Sequence, residues 1–195
     1  MQIISKDYGF SRSAAERSCV DRNGSPVPWY TYPAIEFLSQ FCYEKYSVFE
    51  YGSGNSTLFW SARAANVTSI EHDPAWYDRM QPVYAQKKNV SCILQSDPEK
   101  YTALLDREYD IIVVDANWRA ACSARALQYV RDGGMIILDD SERAADDPEY
   151  QEALKYFEAD PRFIRIDFSG FAPLVDYTKI TTVFLARNNH FERKK

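Results

Sequence analysis

The stretch Phe49-Glu50-Tyr51-Gly52-Ser53-Gly54-Asn55-Ser56-Thr57 decides the reading of this chain. Only seven glycines occur in the sequence, and two of them fall two residues apart here, directly behind an apolar and aromatic run at 47–51. Glycine at a strand-to-helix turn permits positive φ and lets the backbone approach a ligand, while the helix that follows offers free N–H groups. Glu71 closes the next apolar run, about twenty residues after Glu50, where a carboxylate can grip a ribose diol. Turn and acid together read as a nucleoside site; the plainer alternative is a tight turn with no ligand.

Working outward, apolar runs rich in β-branched residues at 47–51, 67–71, 90–95, 109–115 and 134–139 alternate with amphipathic stretches. The latter predict helices at 33–45, 56–65, 74–87, 98–106, 118–131 and 148–158. This alternation, with strands that are apolar on both sides, demands a mostly parallel sheet with helices on both faces. The ending breaks it: 162–168 and 180–186 are two strands with only a loop between them, so they should pair antiparallel. Residues 1–30 are polar and irregular and predict a frayed start, then a segment folding over the sheet edge. A single domain over 31–187 and a polar tail over 188–195 complete the organisation.

Composition bounds the function. A chain of 195 residues buries about 70% of the surface its unfolded form exposes, so its core needs no disulfide or structural metal. The four cysteines, Cys19, Cys42, Cys92 and Cys122, form no Cys-x-x-Cys pair, and the two histidines, His72 and His190, leave too few ligands for zinc. A net charge of −5 with scattered Lys and Arg offers no footprint for a phosphate backbone, which argues against nucleic acid as a partner. No apolar run approaches the roughly 18 to 20 residues of a membrane span or the core of a signal peptide. The expectation is a soluble, cytoplasmic protein acting on a small molecule; the oligomeric state stays open.

The turn itself separates two ligand classes. Dinucleotide folds use Gly-x-Gly-x-x-Gly, whose third glycine falls at Thr57, and Glu50 ahead of the turn would repel a pyrophosphate. The same acid suits the cationic amino group of a methionine moiety. At these residues the sequence resembles the class I S-adenosylmethionine-dependent methyltransferases, whose first motif is acid-x-Gly-x-Gly-x-Gly. Glu50, Gly52 and Gly54 match it, and Ser56 replaces the last glycine. The resemblance covers about residues 30–187 and implies a Rossmann-like, seven-stranded sheet of order 3-2-1-4-5-7-6 with the last strand antiparallel. It further implies that Glu50, Gly52, Ser53, Gly54 and Ser56 surround the methionine part, Glu71 the ribose, and Asp97 the adenine amino group. Two readings stand for Asp97, which also fits a helix N-cap before Pro98, as Asp73-Pro74 and Asp147-Pro148 do. His72 either packs on the adenine or stands solvated. A non-catalytic nucleoside-binding protein, or an NAD-binding Rossmann protein, are the competing classes.

The residues that end the fourth and fifth strand candidates matter most, because ligands of open α/β sheets bind outside the carboxyl ends of the strands. They are Asp115-Ala116-Asn117-Trp118-Arg119 and Asp139-Asp140-Ser141-Glu142-Arg143. Asp115 is the candidate base for a hydroxyl acceptor and also borders the cofactor. Three converging carboxylates require a counter-charge. Catechol-type O-methyltransferases, to which the chain is distantly similar, gather an Asp after strand four and an Asp-Asn pair after strand five around magnesium. Asp115, Asp139 and Asp140 are similarly placed, with Asp140 where that family has Asn. The expectation adopted is that Arg119 and Arg143 compensate the cluster instead of a metal, and that Arg143 serves catalysis. Lys179 either orients an acidic acceptor or is solvated. The Asn-Pro-Pro-Tyr signature of amino-group methylation is absent after strand four, which favours O- over N-methylation.

Overall fold

In the computed structural model, which describes residues 3–194, the alternation read from the sequence becomes one seven-stranded sheet. The strands are β1 Ser47–Tyr51, β2 Asn66–Glu71, β3 Val90–Leu94, β4 Tyr109–Val114, β5 Val130–Leu138, β6 Phe163–Gly170 and β7 Lys179–Ala186. The α-helices are α1 Phe10–Glu16, α2 Tyr32–Ser39, α3 Asn55–Ser61, α4 Pro74–Tyr84, α5 Pro98–Ala103, α6 Arg119–Tyr129 and α7 Pro148–Glu158. The spatial order is β3-β2-β1-β4-β5-β7-β6, as expected. The first five strands are parallel, with Val48 beside both Val67 and Ile111. β7 alone is reversed and pairs with β5 and β6, placing Val183 against Ile137 and Ile166.

Strand alternation divides the apolar residues between two cores, one on each face. Phe49, Tyr51, Ile112, Val114 and Leu138 pack with Tyr101, Cys122 and Phe157. Val48, Ile111, Val113, Met135 and Ile137 pack on the other side with Leu38, Phe59 and Trp60. Each such side chain contributes about 1.5–3 kcal/mol through burial. Three of the four Asp-Pro pairs act as helix caps: Asp73, Asp97 and Asp147 accept from Ala75, Lys100 and Glu149 backbone N–H groups at 2.9, 2.9 and 3.0 Å. Each cap is worth about 1 kcal/mol.

Three expectations are corrected. The helix predicted at 33–45 stops at Ser39, because residues 40–42 pair with the end of the chain: Cys42 N donates to Glu192 O and Lys194 N to Gln40 O, both at 2.8 Å. That end is therefore no free polar tail over 188–194; Phe191 is buried against Phe41, Tyr43 and Tyr46. The N-terminal segment covers the carboxyl ends of the strands, not the sheet edge. Val20 bridges Pro26, Asn55 Nδ2 donates to the Cys19 carbonyl at 2.6 Å, and Thr31 N donates to Thr181 Oγ1 at 3.0 Å. Residues 17–31 thus form a strap above the first glycine turn. A single π turn at Ile3–Asp7 precedes α1, and a 3₁₀ turn, Ser141–Ala145, follows β5.

Candidate active site

The glycine turn is shaped by one obligatory glycine. Gly52 has φ +101°, and a Cβ there would stand 2.2 Å from the Asp115 carbonyl oxygen, so β1 and β4 can approach only without a side chain. Gly54 is extended and its Cβ would meet nothing nearer than Trp76 at 3.8 Å; its contribution is open space. Aromatic residues of α4 hold the turn from the side: Trp76 Nε1 donates to Ser53 O at 2.9 Å and Tyr84 OH to Gly54 O at 3.1 Å. Trp76 also walls the cavity.

Glu50 lies beneath this turn, 1% exposed, with neither carboxylate oxygen hydrogen-bonded. Burial raises its pKa to about 8, with Thr57 and Ser56 hydroxyls drawing it down and Asp115 pushing it up. Glu71, also buried, is tied into its own loop. It accepts from His72 N and Asp73 N at 2.9 and 3.0 Å and from Ser53 Oγ at 2.8 Å. His72 stands partly exposed, edge-on to Trp118 and hydrogen-bonded through Nε2 to Asn117 at 2.9 Å. Asp97 is exposed and spent as the cap of α5.

Two cavities adjoin the strand ends. The larger, about 510 Å³, is lined by Ser53, Gly54 and Ser56 of the turn, by Trp76, and by Cys19 and Trp29 of the strap. The smaller, about 100 Å³, is lined by Asp115, Asp139, Asp140, Tyr177 and Lys179. Asp115 and Trp29 line both. Glu50, Gly52, Glu71, His72 and Asp97 line neither cavity. Cys19 is no nucleophile, since burial pushes its thiol up to about 12.

The acids converge as expected: carboxylate atoms of Asp115, Asp139 and Asp140 lie within 4.8 Å of one another. The compensating cations are Arg119 and Lys179. Arg119, only 8% exposed, donates to Asp115 Oδ1 at 2.9 Å, lies 3.7 Å from Asp140 and rests on the Tyr150 ring. Lys179 Nζ donates to Asp139 Oδ2 at 2.8 Å, to Asp140 Oδ1, and to the Trp29 carbonyl at 3.0 Å. Arg143 does not reach the cluster. It faces solvent, donates to Tyr150 OH at 3.0 Å and pairs with Asp147 at 3.4 Å, because the 3₁₀ turn carries it away. Lys179, read from sequence as either orienting an acidic acceptor or solvated, is instead buried on Asp139 and Asp140; its position opening the reversed strand beside β5 is the signal that points there.

Burial raises the pKa of Asp139 to about 7, with Lys179 lowering it and Asp115 and Asp140 raising it. Asp115 is likewise raised, first by burial, with Arg119 opposing and Asp140 adding to it. Arg119 thus holds one oxygen of Asp115, a residue that lines both cavities. An ammonium thus already binds two of the three carboxylates that a divalent ion would use.

No protein-family model and no curated protein matches the sequence. Among solved structures, the chain is similar to the O-methyltransferase TomG from Streptomyces achromogenes in complex with SAM (TM-score 0.65, 15% identity, 95% of this chain and 90% of that one). It is also similar to the Bacillus cereus O-methyltransferase in complex with SAH (TM-score 0.61, 17% identity, 72% and 74%). An rRNA methylase from Streptococcus thermophilus shares the architecture at TM-score 0.58 and 14% identity, over 79% and 95%. The fold is the Rossmann-like fold of class I methyltransferases. Fold alone does not select the acceptor. No helix among the described residues is long and apolar enough to cross a membrane.

Proposed function

We propose that the protein transfers a methyl group from S-adenosylmethionine to a hydroxyl of a small acceptor. The observation that carries this reading is the placement of Asp115, a residue that lines both the cavity on the glycine turn and the acidic cavity. The residues present fit the cofactor: Glu50 is a buried carboxylate with no partner, suited to an amino cation, and the space above Gly54 is free. Ser53, Gly54 and Ser56 would hold the methionine part, with Glu71 acting behind them by fixing the Ser53 hydroxyl. When bound, the cofactor supplies an electrophilic sulfonium methyl. Asp115 Oδ2 accepts the proton of the acceptor hydroxyl, aided by a raised pKa; such assistance is worth roughly 10²- to 10⁴-fold. Arg119 holds the other oxygen of that carboxylate in place. Trp29 and Tyr177 flank the acceptor, and the strap excludes water. Alignment of donor and acceptor supplies the larger share, up to about 7–11 kcal/mol.

Titration calorimetry tests the cofactor: S-adenosylmethionine and S-adenosylhomocysteine should bind and NAD should not. NAD binding with no response to S-adenosylhomocysteine would sink the reading. Turnover on a panel of small hydroxyl compounds then tests the reaction.

A further inference from the structure

An ammonium has three N–H donors, and Lys179 uses all of them inside the protein: on Asp139, on Asp140 and on the Trp29 carbonyl. The side chain is 5% exposed and its nitrogen also lies 5.8 Å from the Trp29 ring centre. Burial disfavours the charge, but Asp139 and Asp140 outweigh it and raise the pKa. Thr181, two residues along β7, donates to the second oxygen of Asp139 at 2.6 Å, so the same strand fixes both the cation and the carboxylate.

We infer that Lys179 is the resident cation of the acidic cluster, a tethered ammonium standing where Asp115, Asp139 and Asp140 would otherwise gather a divalent ion. The geometry leaves it no donor for a substrate. It is a positioning residue that sets the spacing of the carboxylates and draws the strap, through Trp29, onto the site. A divalent ion needs six or more oxygens at about 2.0–2.6 Å, and an ammonium held on two of the three carboxylates both takes their lone pairs and repels the ion. Removing the ammonium while keeping the acids should therefore turn the cluster into a metal site. This inference does not rest on the cofactor reading, and its test uses no cofactor.

The experiment is Mn²⁺ titration of the full chain, followed by electron paramagnetic resonance and by thermal melting. The wild type is expected to bind no Mn²⁺ at the cluster below about 1 mM. Lys179→Met should bind it at least about tenfold more tightly than the wild type and melt higher in its presence. Adding Asp140→Asn to Lys179→Met should abolish that gain, and Lys179→Arg, which keeps the charge, should show none. A residue serving only to pack would not give this pattern. The inference is overturned if the wild type binds Mn²⁺ in a manner lost in Asp140→Asn, or if folded Lys179→Met gains no affinity. Should Lys179→Met fail to fold with or without Mn²⁺, the comparison of wild type with Asp140→Asn decides: binding by the wild type overturns the inference, and its absence together with none in Lys179→Arg upholds it.

Discussion

Ser53 Oγ donates to Glu71 Oε2 at 2.8 Å, joining the glycine turn after β1 to the end of β2. The opposite oxygen of Glu71 takes two backbone N–H groups, so the carboxylate organises the loop that leads into α4. Glu71→Ala leaves three partly buried hydrogen-bond donors without their acceptor. We expect it to lower unfolding free energy by about 1–3 kcal/mol and to weaken S-adenosylhomocysteine binding by a similar amount. Chemical denaturation and calorimetry on the same variant check both; unchanged affinity in a destabilised protein would leave Glu71 with a purely structural role.

Asp115→Asn should act on rate. Arg119 keeps the Ala116 carbonyl and Asp140 as partners, and repulsion between Asp115 and Asp140 is relieved, so the melting temperature is expected to stay within a few degrees of wild type. Turnover should fall by roughly 10²- to 10⁴-fold. Unfolding of this variant would remove Asp115 from the chemistry.

Glu50 makes stability depend on pH. Its folded pKa of about 8 lies above its ordinary value of 4.5, so between these values the folded state holds a proton that the unfolded state has lost. Its contribution to stability therefore falls as pH rises through that window. Glu50→Gln removes this slope and should be more stable than wild type at pH 7 by on the order of 3 kcal/mol, measured by urea unfolding at several pH values. A ligand that places an amino cation on Glu50 should release about one proton at pH 6.5, read by calorimetry in buffers of different ionisation enthalpy.

The two glycines of the turn should differ in their tolerance. Gly52→Ala puts a Cβ against backbone at positive φ and is expected to cost about 2 kcal/mol or more, whereas Gly54→Ala should leave stability within about 0.5 kcal/mol. Denaturation midpoints of the two variants give the comparison. Equal losses would mean that the turn relaxes and that Gly52 is not held by β4.

Hydrophobic alternation was enough to place all seven strands, since buried parallel strands leave continuous apolar runs and the unbroken loop at 169–179 betrayed the reversed one. The turn, Glu50 and the converging acids were legible because each falls at a strand end. What the sequence hid depends on contacts far along the chain. Lys179 looks like a solvated lysine in Asp176-Tyr177-Thr178-Lys179 until β7 is set beside β5. Arg143 looks well spaced to fold back on Asp140 until the 3₁₀ turn carries it to Tyr150. Phe191 sits among polar residues, and only the pairing of 192–194 with residues 40–42 shows that it belongs to a core.

The acidic cluster draws its members from three distant places along the chain: Asp115 after β4, Asp139 and Asp140 after β5, and Lys179 at the start of β7. A ribosome delivers them in that order. Arg119 follows Asp115 within a turn of helix and answers that acid, but Asp139 and Asp140 wait for Lys179, which β7 brings in by slotting between β5 and β6. Completion of the site and closure of the sheet thus hang on one strand, which carries the ammonium that holds the strap at Trp29, while Asn55 holds it at Cys19.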